Sequence, residues 1–522
     1  MVEFGASTIN YVKWLKQNGV HFCKDCRIKD LRHKNEGRGI IAAQDIEEHD
    51  TIFEIPRSVV LNLETCSLVK ERPGVREGLE SLNQWEALII ILLYELKVKK
   101  EHSRWTPYFG VLPILDEENY TFNQLMFWSD DELEYLKPSL IIQRIGKDIA
   151  DGMYNKLFPR VIKQLKLVEL NDTTLWEYHK IASLIMSYSF DLERLNRDGV
   201  VNDEEDEDED EGNEEVGNEP SYKNSPVSSS DEEYPDSWRN DSFLKSMIPI
   251  ADTLNADTTL HNASLEYLQD KLVIRAIKLI KKGEQVYNTY SDHPNSEILR
   301  RYGYVERQGS KHDFGEITLA SIRDHFSQCS NPIMHEFFDE IMDLFYRIIQ
   351  EESSEEEVVE FVLDSYDCFA SSEVIIELTI LLQCLTIIGS IHSLNSMETL
   401  TVDSKFQLVR RIHRKCISLI ESRKLTKLFL ANYKAILGNR MSEYPAIASE
   451  DFPGSFKFTR QNMANVVLKS EYTSLRNCLD VEKTFTIDDI KYQFIDDDKL
   501  IRNIVKRKFD LPIPNSPKRN KR

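Results

Sequence analysis

The chain has 522 residues, 41% of them apolar, and it carries 65 basic against 88 acidic side chains for a formal net charge of −23. This length exceeds what one hydrophobic core usually serves, so two domains or more are expected. Most of the charge lies in one stretch, residues 203–236, which holds sixteen acidic side chains and one lysine. Direct nucleic-acid binding through a large basic face is not expected, because phosphate recognition needs clustered Lys and Arg.

The N-terminal half alternates between helical and β-rich patterns, which the spacing of apolar residues distinguishes. An N-terminal helical segment (1–30) precedes a β-rich unit that contains a helical insertion over about 84–190. A capping box at Ser129 and Glu132 predicts a helix start inside that insertion. The other predicted elements, in chain order, are a helix over 8–16, strands over 39–43 and 51–55, a helix over 85–96 and a helix over 173–188.

The second half begins with the acidic tract, and residues 197–240 contain almost no aliphatic side chains. Such a segment buries too little apolar surface to offset chain entropy, so a disordered insertion is predicted. Short strands are predicted next over 264–267, 272–276 and 284–287. From Asn331 the pattern is nearly all helical, with one apolar stripe formed by Met334, Phe337, Phe338, Ile341, Phe345 and Ile348.

Neither a membrane span nor a metal site is predicted. The most apolar window, 374–391, contains Glu377 and Gln383, which favours a buried core helix over a transmembrane helix. No signal peptide is predicted at the N-terminus. Cys23 and Cys26 form one close pair without a second ligand pair at a suitable spacing, so no zinc site is expected. Scattered cysteines are typical of a reduced, intracellular chain.

The first segment that could carry chemistry is Glu36-Gly-Arg-Gly-Ile-Ile-Ala-Ala43. Glycines at 37 and 39 would let the backbone bend tightly and approach a ligand closely. A plain turn before a strand is the alternative interpretation. The segment is not a dinucleotide fingerprint, because the third glycine and the following helix are missing.

Three further segments follow the acidic tract. In Met247-Ile-Pro-Ile-Ala-Asp-Thr-Leu-Asn-Ala-Asp257 an apolar run is interrupted by Asp252 and Asn255, which an Asx turn would also explain. Segments 283–290 and 295–304 bring four tyrosines close in sequence. Clustered tyrosines are often core or interface residues. Several phenols around a narrow channel would also suit a lysine side chain, with rings for its methylenes and hydroxyls for its nitrogen. These four tyrosines are Tyr287, Tyr290, Tyr302 and Tyr304.

The four segments, taken in order, resemble the SET-domain lysine methyltransferases. The order is Gly-Arg-Gly, Pro-Ile-Ala-Asp-x-x-Asn, Gly-Glu-Gln-x-Tyr-Asn-Thr-Tyr and Arg-Tyr-Gly-Tyr. Within this family, the chain resembles the branch that includes the Rubisco large-subunit methyltransferase. The segment Trp105-Thr-Pro-Tyr-Phe-Gly-Val-Leu-Pro113 also resembles that branch. Within that branch, Met186-Ser-Tyr-Ser-Phe190 followed by an acidic insertion resembles the fungal ribosomal lysine methyltransferases. The motifs cover about 31–305, and the remainder resembles the family by helical pattern only.

The resemblance implies a fold and a domain order. The fold class is α+β: a β-rich SET domain over 31–305 with a helical insertion and a knot-like active site. An all-α substrate-binding domain over 306–500 and a basic tail over 501–522 would follow it. The tail ends Pro-Lys-Arg-Asn-Lys-Arg522.

The resemblance also implies S-adenosylmethionine as cofactor and a role for each matched residue. Glu36, Arg38 and Gly39 would contact the cofactor, largely through backbone groups. Asn255 would hold its methionine end, with Asp252 bracing the knot-like crossing nearby. Tyr290 matches the catalytic tyrosine and would also touch the cofactor. The substrate-lysine channel would be lined by Tyr188, Tyr287, Tyr302 and Tyr304.

The sequence departs from the family pattern at three positions. Most relatives have Asn-His where this chain has Asn255-Ala256, and more distant relatives place an arginine at the position of Tyr188. Tyr304 stands where relatives often carry phenylalanine. Its additional hydroxyl would restrict the space for methyl groups, which favours monomethylation.

A dry aromatic channel fits the chemistry of lysine methylation. A lysine ammonium has no lone pair and an ordinary pKa of about 10.4, so it must lose a proton before it attacks carbon. Exclusion of water disfavours the charged amine, and the positive sulfonium of the cofactor acts in the same direction. Displacement in line needs amine and sulfur to enter one passage from opposite ends.

The expected function is therefore methylation of a lysine in a basic protein, with a ribosomal protein as the implied substrate. Two alternatives remain open: a non-catalytic binding factor or chaperone for basic proteins that uses the acidic tract, and a SET-type protein-histidine methyltransferase. A monomer in nucleus and cytoplasm is expected, since the C-terminal basic clusters are typical of nuclear signals as well as of solvated tails.

Overall fold

The chain folds into two compact units, each built around its own hydrophobic core. The computed structural model describes residues 4–113, 121–194, 243–352, 360–394, 397–449, 456–487 and 490–505. Unit 1 comprises Met1–Leu133, Ile141–Lys311 and Phe458–Met463, and unit 2 comprises Glu134–Leu140, His312–Lys457 and Ala464–Arg522. The longest segment of unit 1 ends at Lys311, and the end of the SET domain at 305 that the family resemblance implies stays a prediction. The acidic tract 203–236 and the tail residues 506–522 lie outside the described residues.

Unit 1 contains the strands predicted on both sides of the acidic tract. Two four-stranded sheets have the orders β1-β4-β9-β8 and β2-β3-β10-β7, and β5 pairs with β6. Alternation of buried and less buried residues along β4 places Phe53 and Ile55 in the core. The strands are β1 (His21–Phe22), β2 (Cys26–Asp30), β3 (Arg38–Ala42), β4 (Thr51–Pro56), β5 (Ser189–Glu193), β6 (Phe243–Met247), β7 (Asn255–Ala256), β8 (Ala263–Tyr267), β9 (Lys271–Ala276) and β10 (Gln285–Asn288).

The second of these sheets brings three of the sequence motifs side by side. Strand β10 pairs antiparallel with β3, with Gln285 opposite Ile41, and parallel with β7, with Tyr287 opposite Asn255. The glycine-rich segment, the Asn255 segment and the first tyrosine segment therefore occupy neighbouring strands, although the acidic tract separates the first of them from the other two in sequence.

Two helices of unit 1 begin with a capping box, and the sequence predicts the one at Ser129. Thr174 and Glu177 form a capping box at the start of α9, and Ser129 and Glu132 exchange hydrogen bonds at the start of α6, which is only one turn long. Helix α4 continues as a wider helical turn over Tyr94–Lys99. The helices are α1 (Phe4–Gln17), α2 (Ser67–Glu71), α3 (Arg76–Glu80), α4 (Gln84–Leu93), α5 (Thr106–Phe109), α6 (Asp130–Leu133), α7 (Lys147–Gly152), α8 (Phe158–Gln164), α9 (Leu175–Tyr188) and α10 (Asn295–Tyr302).

Unit 2 is mainly helical, as the sequence predicts, and the first four residues of its helix α16 belong to unit 1. Its helices are α11 (Leu319–Gln328), α12 (His335–Glu352), α13 (Ile376–Leu394), α14 (Val402–Glu421), α15 (Lys427–Ser442), α16 (Arg460–Asn477), α17 (Val481–Thr484) and α18 (Asp497–Val505).

Three strand pairs accompany these helices, which the all-helical pattern did not indicate. The strands β11 (Phe314–Thr318), β12 (Ser365–Phe369), β13 (Lys424–Thr426), β14 (Thr486–Ile487), β15 (Ile490–Lys491) and β16 (Gln493–Ile495) pair as β11-β12, β13-β16 and β14-β15. The predicted stripe on α12 is buried from Phe337 to Ile348, but Met334 precedes the helix and is 57% exposed.

Helix α13 is the most apolar helix of unit 2. Residues 376–393 are long and apolar enough to cross a membrane by length and composition, and 78% of this window is buried inside the structure. The polar side chain of Gln383 is fully buried, and its amide hydrogen-bonds both the backbone N–H and the hydroxyl of Thr426. This burial is typical of a core helix, as the polar residues in the sequence indicate.

Candidate active site

A hydrogen-bonded chain of three side chains links three of the sequence motifs. The Asn255 amide donates to Gln285 Oε1 at 2.9 Å, and Gln285 Nε2 donates to Glu36 Oε2, also at 2.9 Å. Gln285 is buried, while Glu36 and Asn255 remain partly accessible. The result is a fixed row of one carboxylate and two amides along the edge formed by β3, β10 and β7.

The absence of a side chain at Gly39 makes room for this row. A Cβ at Gly39 would lie 2.0 Å from Gln285 Oε1, 2.4 Å from Leu31 Cδ1 and 3.0 Å from Asn255 Nδ2. Any larger residue would therefore displace the amide that bridges Glu36 and Asn255. The sequence predicts that a glycine here lets the backbone approach a ligand closely. In the structure, the groups that approach the Gly39 backbone are side chains of the protein itself.

The side chain of Arg38 is committed to protein contacts. Its guanidinium donates to Thr8 Oγ1 at 3.0 Å and to the Val111 carbonyl at 2.9 Å, and it stacks 3.8 Å from the ring centre of Phe4. Arg38 therefore attaches the N-terminal helix to β3. If Arg38 contacts a cofactor, its backbone would make that contact, as the family resemblance implies.

Three of the predicted tyrosines form one cluster of rings. The ring centroids of Tyr290 and Tyr302 are 4.8 Å apart, and those of Tyr304 lie 6.4 Å from Tyr290 and 6.3 Å from Tyr302. The Tyr290 hydroxyl donates to the Leu254 carbonyl at 2.8 Å, immediately before Asn255. The catalytic tyrosine of the prediction thus lies directly beside the row of amides.

Helix α10 ends inside this cluster. Gly303 adopts φ +74°, the left-handed conformation that commonly ends a helix, and its N–H donates to the Leu299 carbonyl at 3.1 Å. A Cβ at Gly303 would lie 2.9 Å from the backbone nitrogen of Gln124. This turn places Tyr302 on the helix and Tyr304 just beyond it, so both rings meet Tyr290.

The electrostatic surroundings of Tyr304 keep its phenol neutral. Burial raises the pKa of Tyr304 well above its ordinary value, and the neighbouring Tyr290, Glu306 and Asp257 add to the rise. The same acidic groups would favour an approaching ammonium. Burial and the carboxylate of Glu36 also raise the pKa of Tyr287, while a hydrogen bond with Gln285 opposes this rise. Its neighbours thus include Glu36 and Gln285 of the hydrogen-bonded row, and its place in the lysine channel stays a prediction.

Asp252 is buried in the interior of unit 1. Its carboxylate accepts a hydrogen bond from the hydroxyl of Tyr108, and burial raises the pKa of Asp252 to about 7 although hydrogen bonds from Tyr108 and Thr253 lower it. Tyr108 belongs to the Trp105–Pro113 segment and is completely buried. Asp252 therefore braces the polypeptide before Asn255. The half-buried Tyr188, at the end of α9, is near enough to raise the pKa of Tyr108.

A second buried network supports the tyrosine cluster from behind, and the sequence analysis missed it. Asn295 and Glu306 exchange hydrogen bonds between side chain and backbone, with lengths of 2.9 and 2.7 Å. The Glu306 carboxylate accepts from the N–H and the hydroxyl of Thr258, at 2.8 and 2.6 Å. The Asn262 side chain similarly donates to the Gln285 carbonyl at 2.9 Å and accepts from the Tyr287 N–H at 2.8 Å, which fixes the backbone on both sides of Val286. The available signal was the cluster of Asn and Thr residues in segment 255–262.

Comparison with known proteins identifies the class of this site. Residues 37–291 match the SET domain family. The chain is 39% identical to ribosomal lysine N-methyltransferase 4 of Saccharomyces cerevisiae over 99% of both chains. It is 30% identical to human N-lysine methyltransferase SETD6 over 55% of this chain and 52% of that protein. The solved structure of Rubisco LSMT bound to sinefungin and monomethyllysine covers 97% of both chains, with a TM-score of 0.56 and 17% identity.

The chain therefore belongs to the SET-domain protein-lysine methyltransferases. It is an S-adenosylmethionine-dependent enzyme, and its fold is that of the Rubisco methyltransferase branch. The expectation of a lysine methyltransferase is confirmed, and the alternative of a non-catalytic binding factor is set aside.

The residues of unit 1 fit the cofactor of this family chemically. S-adenosylmethionine presents ribose hydroxyls, an ammonium and a carboxylate, which need hydrogen-bond acceptors and donors together. The Glu36 carboxylate supplies acceptors, and the amides of Asn255 and Gln285 supply both. A Cβ at Gly37 would meet nothing within 4 Å, so the backbone there is open to an incoming group. Within the described residues no group of three or more His, Cys, Asp or Glu could hold a metal ion.

Proposed function

We propose that this enzyme monomethylates a lysine of a basic protein of the large ribosomal subunit. The observation that carries the proposal is the hydrogen bond from Tyr290, in the three-ring cluster, to the carbonyl of Leu254, the residue immediately before Asn255. The name of the Saccharomyces cerevisiae relative, ribosomal lysine N-methyltransferase 4, supports a ribosomal substrate. A relative of the same name in Schizosaccharomyces pombe is 25% identical over 58% of this chain.

In the proposed mechanism the tyrosine cluster receives the substrate lysine and excludes water around it. Its rings pack on the methylenes, and the low polarity favours the neutral amine, whose proton leaves to water. When bound, S-adenosylmethionine supplies an electrophilic methyl group on sulfur. Glu36, Gln285 and Asn255 would hold the cofactor, which would give its methyl group to the amine lone pair and keep the electrons of the broken C–S bond on sulfur. Tyr290 orients the amine through its hydroxyl, and Glu36, Gln285 and Asn255 hold the reactants in line.

The single-methyl product is proposed from the position of Tyr304. Its phenol carries one hydroxyl more than phenylalanine, and its ring meets Tyr290 edge-on with an interplanar angle of 84°. A methylated amine needs more room than a free amine beside these two rings. A second transfer should therefore be much slower than the first.

Tyr290→Phe tests the catalytic assignment. The purified variant, tritiated S-adenosylmethionine and large-subunit ribosomal proteins from cells that lack the enzyme are incubated together, and the labelled band is identified by mass spectrometry. We expect kcat to fall by about a hundredfold or more, because the orienting hydroxyl is lost. Tyr267→Phe, which changes an exposed tyrosine of the same unit, serves as the matched control and should retain activity.

Each outcome decides a different part of the proposal. Near-normal activity of Tyr290→Phe would exclude this residue as the catalytic tyrosine. The absence of any labelled ribosomal protein with the unaltered enzyme would exclude the substrate class. Fragment masses that show two or three methyl groups on one lysine would overturn monomethylation, and label on histidine would restore the histidine alternative.

We also propose that the enzyme resides in both nucleus and cytoplasm. Support comes from the basic clusters Lys506-Arg-Lys508 and Pro517-Lys-Arg-Asn-Lys-Arg522, which resemble nuclear addresses. Ribosomal proteins are made in the cytoplasm and assembled in the nucleus, so a substrate of this class is present in both compartments.

A further inference from the structure

A strained backbone position lies in the segment that leads to the active site. Ile250 adopts φ +74° and ψ −39°, and its side chain is fully buried. Positive φ is unfavourable for a β-branched residue, because Cβ crowds the neighbouring backbone. Such a conformation persists only where surrounding contacts impose it.

A buried hydrogen bond joins this residue to the N-terminal helix. The backbone N–H of Ile250 donates to the hydroxyl of Tyr11 at 2.6 Å, and Tyr11 is completely buried in the middle of α1. The same hydroxyl lies 3.4 Å from Thr253 Oγ1. Tyr11 therefore holds the strained residue and also contacts the turn that follows it.

Helix α1 is itself fixed against the same region. The rings of Tyr11, Trp14 and Tyr108 are mutually stacked, with centroid separations of 6.1 to 6.4 Å. Tyr108 in turn donates its hydroxyl to Asp252. The segment from Ile250 to Asp252 is thus held by two buried phenols, one from α1 and one from α5.

The backbone that follows this turn contacts the proposed catalytic residue, Tyr290. The carbonyl of Leu254, four residues after Ile250, accepts the hydrogen bond of the Tyr290 hydroxyl, and Asn255 begins β7. We propose that Tyr11 is a positioning residue for methyl transfer: by holding Ile250 in its strained conformation, it sets the Leu254 carbonyl and hence the orientation of the Tyr290 hydroxyl.

A second attachment of α1 reaches the other side of the same site. Thr8, one turn before Tyr11, accepts the hydrogen bond of Arg38 Nε at the start of β3. One helix therefore contacts both the glycine-rich segment and the segment before Asn255. Tyr11 lies outside residues 37–291, which match the SET family, so this role is not contained in the matched region.

Tyr11→Phe tests this role, because it keeps the stacked ring and removes only the hydroxyl. We expect kcat for methyl transfer to fall by about tenfold, while KM for substrate and cofactor stays within about twofold, since alignment and not binding is lost. Hydrogen exchange of the peptide 247–255 should accelerate in the same variant, because the Ile250 N–H loses its acceptor.

Tyr366→Phe is the matched control. The hydroxyl of Tyr366 is also fully buried, accepts from the Leu363 N–H at 3.0 Å and donates to the Phe361 carbonyl at 3.1 Å, all within unit 2. The control should lower the thermal midpoint to a similar extent and leave kcat and exchange of peptide 247–255 unchanged. This comparison separates a positioning role from a general loss of stability.

The inference rests on the proposed role of Tyr290, and the two can fail separately. Unchanged kcat in Tyr11→Phe, or a rise in KM alone, would overturn the role of Tyr11 while the enzyme remained a methyltransferase. If the unaltered protein modified no ribosomal lysine, the proposed substrate would fail. The exchange measurement would still decide whether Tyr11 holds Ile250: unchanged exchange of peptide 247–255 would refute it.

Discussion

At the residue scale, Asp252 shows how burial determines the charge state of a carboxyl group beside the site. Its side chain is almost fully buried, its neighbours are neutral phenols and a threonine, and its pKa is raised to about 7. Desolvation by burial is the largest effect on this carboxyl group, and it outweighs the hydrogen bonds that the group accepts from Tyr108 and Thr253.

This raised pKa predicts a pH dependence of stability. Between the ordinary aspartate pKa of about 3.9 and about 7, the unfolded chain has lost the proton that the folded protein keeps. The stability that the protonated Asp252 contributes is therefore fully present below about pH 4. As the pH rises from there to about 7, this contribution lowers the free energy of unfolding by about 1.4 kcal/mol per pH unit. Asp252→Asn should remove this slope.

Chemical denaturation between pH 4 and 8 measures the free energy of unfolding of the unaltered enzyme and of Asp252→Asn. The difference between these two free energies is then compared across the pH range. Asp270→Asn changes an exposed aspartate in the turn between β8 and β9 and should leave the profile unaltered. An identical pH profile for Asp252→Asn and the unaltered enzyme would show that Asp252 is ionised in the folded state across this range.

At the element scale, the end of α10 decides the geometry of the tyrosine cluster. The left-handed Gly303 separates Tyr302, the last helical residue, from Tyr304. Its Cα faces the backbone of Gln124, which leaves no space for a side chain. Helix termination and ring placement therefore depend on one glycine.

Gly303→Ala should consequently disturb both stability and activity. The left-handed conformation costs an alanine about 1 to 2 kcal/mol, and contact with Gln124 forces a shift of α10. We expect a lower free energy of unfolding and a fall in kcat/KM, because Tyr302 and Tyr304 move relative to Tyr290. Denaturation and steady-state kinetics measure the two effects.

Gly152→Ala supplies the comparison within the same unit. Gly152 ends α7 with ordinary helical dihedrals, and a Cβ there would meet nothing within 4 Å. This variant should be neutral or slightly stabilising. A Gly303→Ala protein as stable and active as Gly152→Ala would contradict the structural account of α10.

At the scale of the whole molecule, neither unit is a single continuous stretch of the chain. Residues Glu134–Leu140 belong to unit 2 although the chain on both sides belongs to unit 1. The Ser139 hydroxyl donates to the buried Glu471 carboxylate at 2.5 Å, and Arg440 donates to the Pro138 carbonyl at 2.9 Å. Burial raises the pKa of Glu471 to about 7, so the carboxyl group that Ser139 contacts is neutral in acid.

The basic tail gives a prediction for the whole chain. A fluorescent fusion of the full-length protein should enter the nucleus, and replacement of Lys518, Arg519, Lys521 and Arg522 by alanine should shift it to the cytoplasm. Replacing four exposed lysines elsewhere changes the net charge equally and serves as control: Lys29, Lys34, Lys100 and Lys163. An unaltered distribution after the tail substitution would exclude the tail as a nuclear signal.

Much of the fold and the protein class could be predicted from the sequence. Apolar spacing indicated the strands β4 and β9 and the helices α4 and α9, because burial of one face imposes that spacing. The ordered motifs around Gly39, Asn255 and Tyr290 indicated the SET class, which the comparisons confirm. The strands β13 to β16 of unit 2 were not predictable, since two- and three-residue strands carry no periodicity, and the five-residue strands β11 and β12 lie among helices whose pattern dominates this part of the sequence.

What only the tertiary structure decided is which distant groups meet. The hydroxyl of Tyr108 reaches Asp252 across 144 residues of sequence, and Tyr11 reaches Ile250 across 239. Gln285 appeared in the sequence only as part of a motif, and the structure makes it the bridge between Glu36 and Asn255. Local sequence determines periodicity, caps and turns because these depend on near neighbours. The partner of a buried polar group depends on how separate elements pack, so only the folded chain specifies it.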